Sequence, residues 1–376
     1  MLSHVEVLAW LRETDPARLA TLWAMADAVR VEHVGPAVHL RGLLELSNHC
    51  VRECGYCGLR AGHTALRRYR LTAAEIRTAA RQAIRFGYGT LVLQAGEDLG
   101  LEATWLAERI RQIKAETGLA VTLSLGERAD AELALWRRAG ADRYLLRFET
   151  SDPALYRRIH PDRGGVVSDR LALLGRLRRL GYEIGGGMMV GLPGQSWGSL
   201  ADDLLLCRRL DLDMIGLGPY LPHPATPLGR GEWSRPLPAG AQVPATEAVV
   251  YRALALARLL CPEANLPSTT ALATLNRAQG RELGLARGAN VVMPNLTPAP
   301  YRALYEIYPG KACVGETAEA CTGCLGGRIA ALGRTLGTGP GGRRRGTREA
   351  TPEALPLPVP PPNLLSTPAP TAWRPL

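Results

Sequence analysis

The sequence predicts an α/β chain folded as a (β/α)8 TIM-type barrel, with N-terminal helices and a disordered proline-rich C-terminal tail. Three observations carry this expectation. Eight short apolar or β-branched runs occur, at 39–47, 89–95, 120–126, 143–149, 183–191, 214–222, 265–273 and 290–295. Amphipathic stretches such as Thr72–Gly87, Ala103–Gly118 and Thr246–Leu260 lie between most of them. Strands separated by helices pair in parallel, and eight of them close a barrel, although counting also permits an open six- to eight-strand sheet. Past Gly337 the composition collapses into Gly341-Gly342-Arg343-Arg344-Arg345 and a proline-rich tract from Pro356 to Pro375, with little to bury. The expected division is a helical segment 1–36, a barrel 37–337 and a disordered tail 338–376.

Residues 3–34 read as two helices, the second opened by Asp15-Pro16 as cap and first-turn proline. The first strand candidate runs into Ser47-Asn48-His49-Cys50-Val51-Arg52-Glu53-Cys54-Gly55-Tyr56-Cys57. Reactive groups in a barrel belong at the C-terminal ends of strands, which is where this C-x3-C-x2-C run falls. A cubane [4Fe–4S] cluster is normally held by four thiolates. Cys50, Cys54 and Cys57 supply three, leaving one iron open to a chelating small molecule. A zinc knuckle is the plainer reading, but structural zinc takes four closed ligands, and His49 adjoins Cys50 too closely to serve easily as the fourth.

The second strand ends in Gln94-Ala95-Gly96-Glu97, able to present backbone groups and a carboxylate to an ammonium group. In the third, Thr122 and Ser124 share one face, suited to donating hydrogen bonds inward or to facing solvent. In the fourth, Arg143, Leu145, Arg147 and Glu149 share a face, while Tyr144, Leu146 and Phe148 share the other. Two arginines and a glutamate inside a barrel are costly unless paired with each other or bound to a charged ligand. Glycine-rich stretches at 185–195 and 216–219 allow close backbone approach to an adenine or ribose, and the P-loop pattern GxxxxGK[ST] is absent. Near the end, Cys313, Cys321 and Cys324 form C-x7-C-x2-C, which suits a second iron–sulfur site, [2Fe–2S] or [4Fe–4S], again with one ligand missing or exogenous.

Composition narrows the function. The net charge of +10 comes almost entirely from arginine, Lys114 and Lys311 being the only lysines. The basic residues are scattered through helices without an aromatic-interleaved stripe, so solvated faces are expected and no nucleic acid. No run of about 18 apolar residues occurs, so no membrane span is expected. Eight cysteines without an apolar leader point to a reducing cytoplasm rather than a disulfide framework. Cys207 and Cys261 read as buried core residues.

Together these residues resemble the radical S-adenosylmethionine (SAM) superfamily and, within it, the HydE family of [FeFe]-hydrogenase maturases. The resemblance runs from about 36 to 330. It includes Leu40–Asn48 before the cysteines, Val190-Gly191-Leu192-Pro193-Gly194-Gln195, Pro267–Leu272 and Gly288–Pro298, and the late cysteines look like an accessory pattern of that family. It implies that Cys50, Cys54 and Cys57 hold the cluster whose open iron chelates SAM. Gly96, Glu97, Ser124, Glu149 and Arg170 would bind SAM, Gly96 and Glu97 at the methionyl amino group and Glu149 at the ribose. Thr122, Arg143, Arg147, Thr269, Thr270 and Met293 would line the cavity, with Tyr305 and Tyr308 near its mouth. No catalytic residue is assigned beyond the cluster. The implied activity is reductive cleavage of SAM to a 5′-deoxyadenosyl radical acting on an organometallic iron–cysteine precursor of the diiron subcluster. The implied partners are an electron donor and the other maturases, a tyrosine lyase and a GTPase scaffold. Rival readings are a methylornithine synthase-like mutase acting on lysine, a more distant biotin-synthase-like sulfur insertion, and a non-catalytic iron–sulfur carrier.

Overall fold

Ten parallel strands organise the described residues: β1 (Ala37–Ser47), β2 (Thr90–Ala95), β3 (Ala120–Ser124), β4 (Arg143–Leu145), β5 (Glu183–Gly186), β6 (Met189–Val190), β7 (Met214–Ile215), β8 (Gly218–Pro219), β9 (Val291–Val292) and β10 (Thr335–Leu336). This computed structural model describes residues 2–233, 236–315 and 318–343, and only the backbone of Ala320 and Cys321. Pairing runs β1-β2-β3-β4-β5-β7, and β9 returns to β1. The gap between β7 and β9 is bridged by Met214 with Asn265 and by Pro267 with Val291, so the ring closes.

The seventh strand, expected over 265–273, is reduced to those bridges. Pro267 has no N–H to give a ladder, and Thr269 already caps the helix Thr270–Leu275. The fifth and sixth strand runs are each cut in two at a glycine. Gly187, at φ +140°, lies so close to Gly216 that a Cβ would sit 2.0 Å from its carbonyl oxygen. The fourth strand is regular only to Leu145.

The intervening helices start and stop on ordinary signals. Thr72 caps Ala73–Arg85 with a reciprocal Glu75 capping box, and Gly118 at φ +64° ends Ala103–Thr117. Asp15 caps Pro16–Val34 as expected; this helix packs on Glu247–Leu260, and His4–Arg12 packs on Trp197–Arg209. The core between strands and helices is mainly leucine, valine and alanine, with Trp136, Tyr144 and Phe148 fully buried. Cys207 is buried within it; Cys261 is half-buried. Among the described residues no helix is long and apolar enough to cross a membrane.

One boundary differs from the expectation. Residues 338–343, assigned to the tail, cross the N-terminal end of the barrel. β10 pairs with Ala37 and Val38, and the chain then runs beneath the strands. Arg41 donates to Gly341 O (2.9 Å), Arg143 to Pro340 O (3.0 Å), Thr90 to Pro340 O (2.9 Å) and Asn265 to Gly341 O (3.2 Å). Glycine and proline there serve close approach to the strand ends, so the composition that reads as disorder has a packing reason. The rest of the expected tail, 344–376, lies outside the described residues.

Arg143 is therefore corrected. It shares a face with Arg147, but four residues along a strand are roughly 13 Å, and Arg143 does not line the main cavity. It is 2% exposed and spends its guanidinium on Glu183 (2.7 Å), Thr90 (3.1 Å) and the Pro340 carbonyl. Replacing it with methionine strands these acceptors and is expected to cost about 2 kcal/mol. A chain ending at Gly337 should be destabilised as well, and Arg143→Met in that shortened chain should cost less than in the full one. Urea unfolding of the four proteins measures the coupling, and strict additivity would deny that Arg143 anchors the segment.

Candidate functional site

Cys50, Cys54 and Cys57 stand in the loop 48–70 after β1, which has no regular secondary structure and must be held by side chains. Asn48, fully buried, donates to Arg67 O (2.9 Å) and Leu304 O (2.8 Å) and accepts from Tyr69 N (2.7 Å). Arg68 donates to four carbonyls, those of Asn48 (2.5 Å), Leu59 (2.8 Å), Arg60 (2.7 Å) and His63 (3.3 Å). Val51 N donates to Glu97 O (3.0 Å), and Gly55 N to Ile159 O (2.8 Å). Gly96 lies under the first cysteine, where a Cβ would sit 2.2 Å from His49 O and 2.9 Å from Cys50 Cβ. Only glycine permits this approach.

The three thiols line the mouth of a cavity of about 330 Å³ that extends down the barrel axis. Among the described residues no three His, Cys, Asp or Glu side chains converge as ligands of a single ion. Burial pushes all three thiols up, Cys57 to about 12. Thiolates in such a place need a polycationic partner, which an iron–sulfur core supplies.

Beside the thiols lies a buried ion network. Arg52 Nε meets Glu97 Oε1 (2.7 Å) and Arg52 Nη2 meets Glu127 Oε2 (2.9 Å). Arg170 Nε meets Glu127 Oε1 (3.1 Å), and Arg170 Nη1 lies 3.9 Å from Glu149 Oε1 and donates to Arg147 O (2.7 Å). Arg147 Nη2 pairs with Glu149 Oε2 (2.9 Å). Three successive strand ends are thus cross-linked to the cysteine loop. Glu97 also accepts from Glu127 N (2.9 Å), so both its oxygens are engaged and the segment offers its backbone rather than a free carboxylate. Glu149 has φ +67°, a left-handed conformation that costs a non-glycine residue about 1 kcal/mol or more. The expected strand alternation stops before it, and both Leu145 and Leu146 line the cavity.

Of the residues expected at the site, Gly96, Glu97, Ser124, Glu149 and Arg170 line this cavity, as do Thr122, Arg147, Thr269, Thr270, Met293, Tyr305 and Tyr308. Arg143 alone among the barrel residues does not. Of the expected glycine-rich edges, Gly216, Gly218 and Pro219 line it, and of 185–195 only Met189 does. Arg52 Nη1, Thr122 Oγ1, Arg147 Nε and Tyr220 Oη are buried with no hydrogen-bond partner among the described residues. Unpaired polar atoms around one cavity fit a polar ligand such as SAM. The sequence reading missed Arg52, Glu127, Asn48 and Arg68, and also the buried pair Lys311–Glu45 in the cavity wall. Arg52 sits inside the cysteine motif, which is the one signal that marks it.

The late cysteines are elsewhere. Cys313, at φ +65°, lines a second cleft with Arg277, Arg302 and Lys311 and accepts from Arg281 Nη2 (3.0 Å). Cys324 is exposed on the helix Ala318–Ala331, and the side chain of Cys321 lies outside the description.

Comparison with known proteins gives the following. The family model of the radical SAM superfamily matches residues 44–207. The chain is 46% identical over 327 residues to the [FeFe] hydrogenase maturase subunit HydE of Thermotoga maritima, covering 86% of this chain and 89% of that protein. It is 27% identical over 293 residues to 3-methylornithine synthase of Methanosarcina acetivorans, covering 77% and 79%. The crystal structure of a methylornithine synthase superposes with a TM-score of 0.74 at 23% identity, covering 90% of this chain and 94% of that one, a likeness of fold.

The ion network has a pH signature. Burial alone would raise the Glu127 carboxyl, but the His160 ring, Arg170, Ser168 and Arg52 around it hold it down at about 2. A depressed carboxylate contributes stability above its unfolded value near 4.5, and that stability is lost as pH falls from 4.5 towards 2. Glu127→Gln should lower Tm at pH 7 and flatten the acid limb of Tm against pH. An acid limb as steep as that of the unmodified protein would remove Glu127 from this role.

Proposed function

The chain belongs to the radical SAM superfamily and, within it, to the family of the [FeFe] hydrogenase maturase subunit HydE; on that premise we propose that it cleaves SAM reductively and acts on an organometallic iron–cysteine precursor of the hydrogenase diiron subcluster. The family uses a [4Fe–4S] cluster with SAM, and Cys50, Cys54 and Cys57 are the residues that would hold the cluster. When bound and reduced, the cluster supplies the electron that splits the sulfonium C5′–S bond of SAM into methionine and a 5′-deoxyadenosyl radical. The chain's own part is to bind, orient and enclose. On the family resemblance, Gly96 and the backbone beside it would meet the methionyl amino group, Arg170 would lie near the carboxylate and Glu149 would hold the ribose, with Ser124 adjoining; all of them line the cavity. Thr122, Arg147, Thr269, Thr270, Met293, Tyr305 and Tyr308 enclose the target. A closed barrel with its floor covered keeps water and stray hydrogen donors from a radical.

One observation carries the choice of substrate. The cavity is lined by five cationic side chains, Arg41, Arg52, Arg147, Arg170 and Lys311, against three carboxylates, Glu45, Glu97 and Glu149. Glu45 is held by Lys311 and Glu97 by Arg52, whereas Glu149 lies beside Arg147 (2.9 Å) with its Oε2 lacking a hydrogen-bond partner among the described residues. With more cations than carboxylates, such an interior favours an anionic complex with CO and cyanide ligands over a cationic substrate such as lysine. The partners that follow are an electron donor and the other maturases, a tyrosine lyase and a GTPase scaffold, in a reducing cytoplasm. Cys313, Cys321 and Cys324 would hold an accessory cluster that SAM cleavage does not need.

Reconstituted anaerobically and reduced, the protein should yield 5′-deoxyadenosine. Cys54→Ser should abolish the product, and Cys321→Ser should retain most of it. Product from the Cys54 variant would end the cluster assignment, and a wild type without product would leave a carrier. Incubation with lysine should give no methylornithine; its appearance would transfer the chain to the mutase reading.

A further inference from the structure

Cys54 has a buried neighbour that lines no part of the cavity. His160, 1% exposed, follows the helix Pro153–Ile159 as its cap. Its Nδ1 lies 3.0 Å from Cys54 Sγ and 3.4 Å from Tyr56 Oη. The ring is held on every side. Tyr156 stacks on it at 5.2 Å between centroids and 28° between planes, and Tyr156 Oη is itself 2.6 Å from Ser168 Oγ. Gly55 N donates to Ile159 O (2.8 Å), tying the residue after Cys54 to the residue before His160.

The proton position follows from what faces each ring nitrogen. Arg170 Nη2 stands 3.2 Å from His160 Nε2, and a guanidinium can only donate. Nε2 is shared between that donor and the Glu127 carboxylate. Nδ1, however, faces a sulfur that, once bound to iron, has no proton and can only accept, so the hydrogen that suits the 3.0 Å contact sits on Nδ1. Glu127 Oε1, 3.3 Å from Nε2, also accepts from Ser168 Oγ (2.5 Å) and Arg170 Nε (3.1 Å). A doubly protonated ring would also donate from Nδ1.

The geometry points to His160 as a positioning residue that donates an N–H···S hydrogen bond to the Cys54 thiolate and thereby raises the reduction potential of the cluster that thiolate holds. The inference rests on the cluster reading above. Hydrogen bonds to ligand sulfurs and other outer partners set the potentials of such centres. Reduction adds one negative charge, shared by the thiolates, so the bond is stronger in the reduced form and favours it. The step is a one-electron reduction in which no bond breaks and His160 keeps its proton.

The test is a dithionite redox titration, followed by EPR, of the reconstituted full chain as wild type, His160→Leu and His160→Asn. Asparagine places an amide N–H near the Nδ1 position. His160→Leu should lower the reduced-to-oxidised ratio at a fixed potential about tenfold, about 59 mV for a one-electron couple, while His160→Asn stays near wild type. A role in packing alone would reduce iron content in both variants without moving the potential of the cluster that remains. An unshifted potential in His160→Leu with full iron content overturns the inference and leaves the cluster reading intact; a wild type that assembles no [4Fe–4S] cluster overturns both. If His160→Leu fails to fold, pulsed EPR on wild type carrying ring-15N histidine decides. A nitrogen coupling retained in His49→Gln supports the bond, and its absence overturns it.

Discussion

Three thiols can serve one cluster only if a loop without regular structure is held still, and in this protein buried charge does the holding. Arg52 rises from between the first two cysteines and meets carboxylates from the ends of the second and third strands, Glu97 and Glu127. Arg170 completes the set from the start of a helix after the fourth strand. Buried ions are expensive to desolvate, and they persist where geometry is good and remaining donors are satisfied. Here each ion has at least one partner below 3.2 Å, and the network fixes the relative height of three strand ends. Arg68 does the corresponding work for the loop backbone, replacing the ladder the loop lacks with four side-chain bonds to carbonyls.

The barrel separates two tasks by height. Its C-terminal mouth carries the thiols and the ion network, while its N-terminal floor is covered by residues 338–343. Arg41 belongs to both regions. It lines the cavity and also donates to the Gly341 carbonyl, and burial with Arg143 nearby pushes its pKa down. A guanidinium in that position keeps the interior positive from floor to mouth. The cover at the floor and the charge inside it are thus parts of one construction.

Likeness of fold does not by itself decide chemistry. A methylornithine synthase shares the architecture over most of both chains, yet the interior decides what can be enclosed. Glu45 is a carboxylate in the cavity wall that could greet an amine, but Lys311, Asn295 and Thr297 already occupy it. Removing one side chain from such a pair would change the charge preference of the whole cavity without changing a strand.

Much was legible in the chain itself. The C-x3-C-x2-C spacing, the strand–helix alternation, the cap at Asp15 and the shared face of Thr122 and Ser124 are local features, governed by a few neighbouring residues. Their placement followed from period and spacing. What the sequence left open depends on residues far apart in the chain. Alternation put Arg143 and Arg147 on one face but said nothing of height, and only the chain crossing beneath the barrel, 197 positions away at Pro340, claims Arg143 for the floor. Lys311 neutralises Glu45 across 266 positions, and His160 reaches Cys54 across 106. Glycine and proline at 339–342 look the same locally whether they run free or pack on a buried guanidinium. The pairing of charges is a property of the closed ring, because closure brings together groups whose separation along the chain carries no signal.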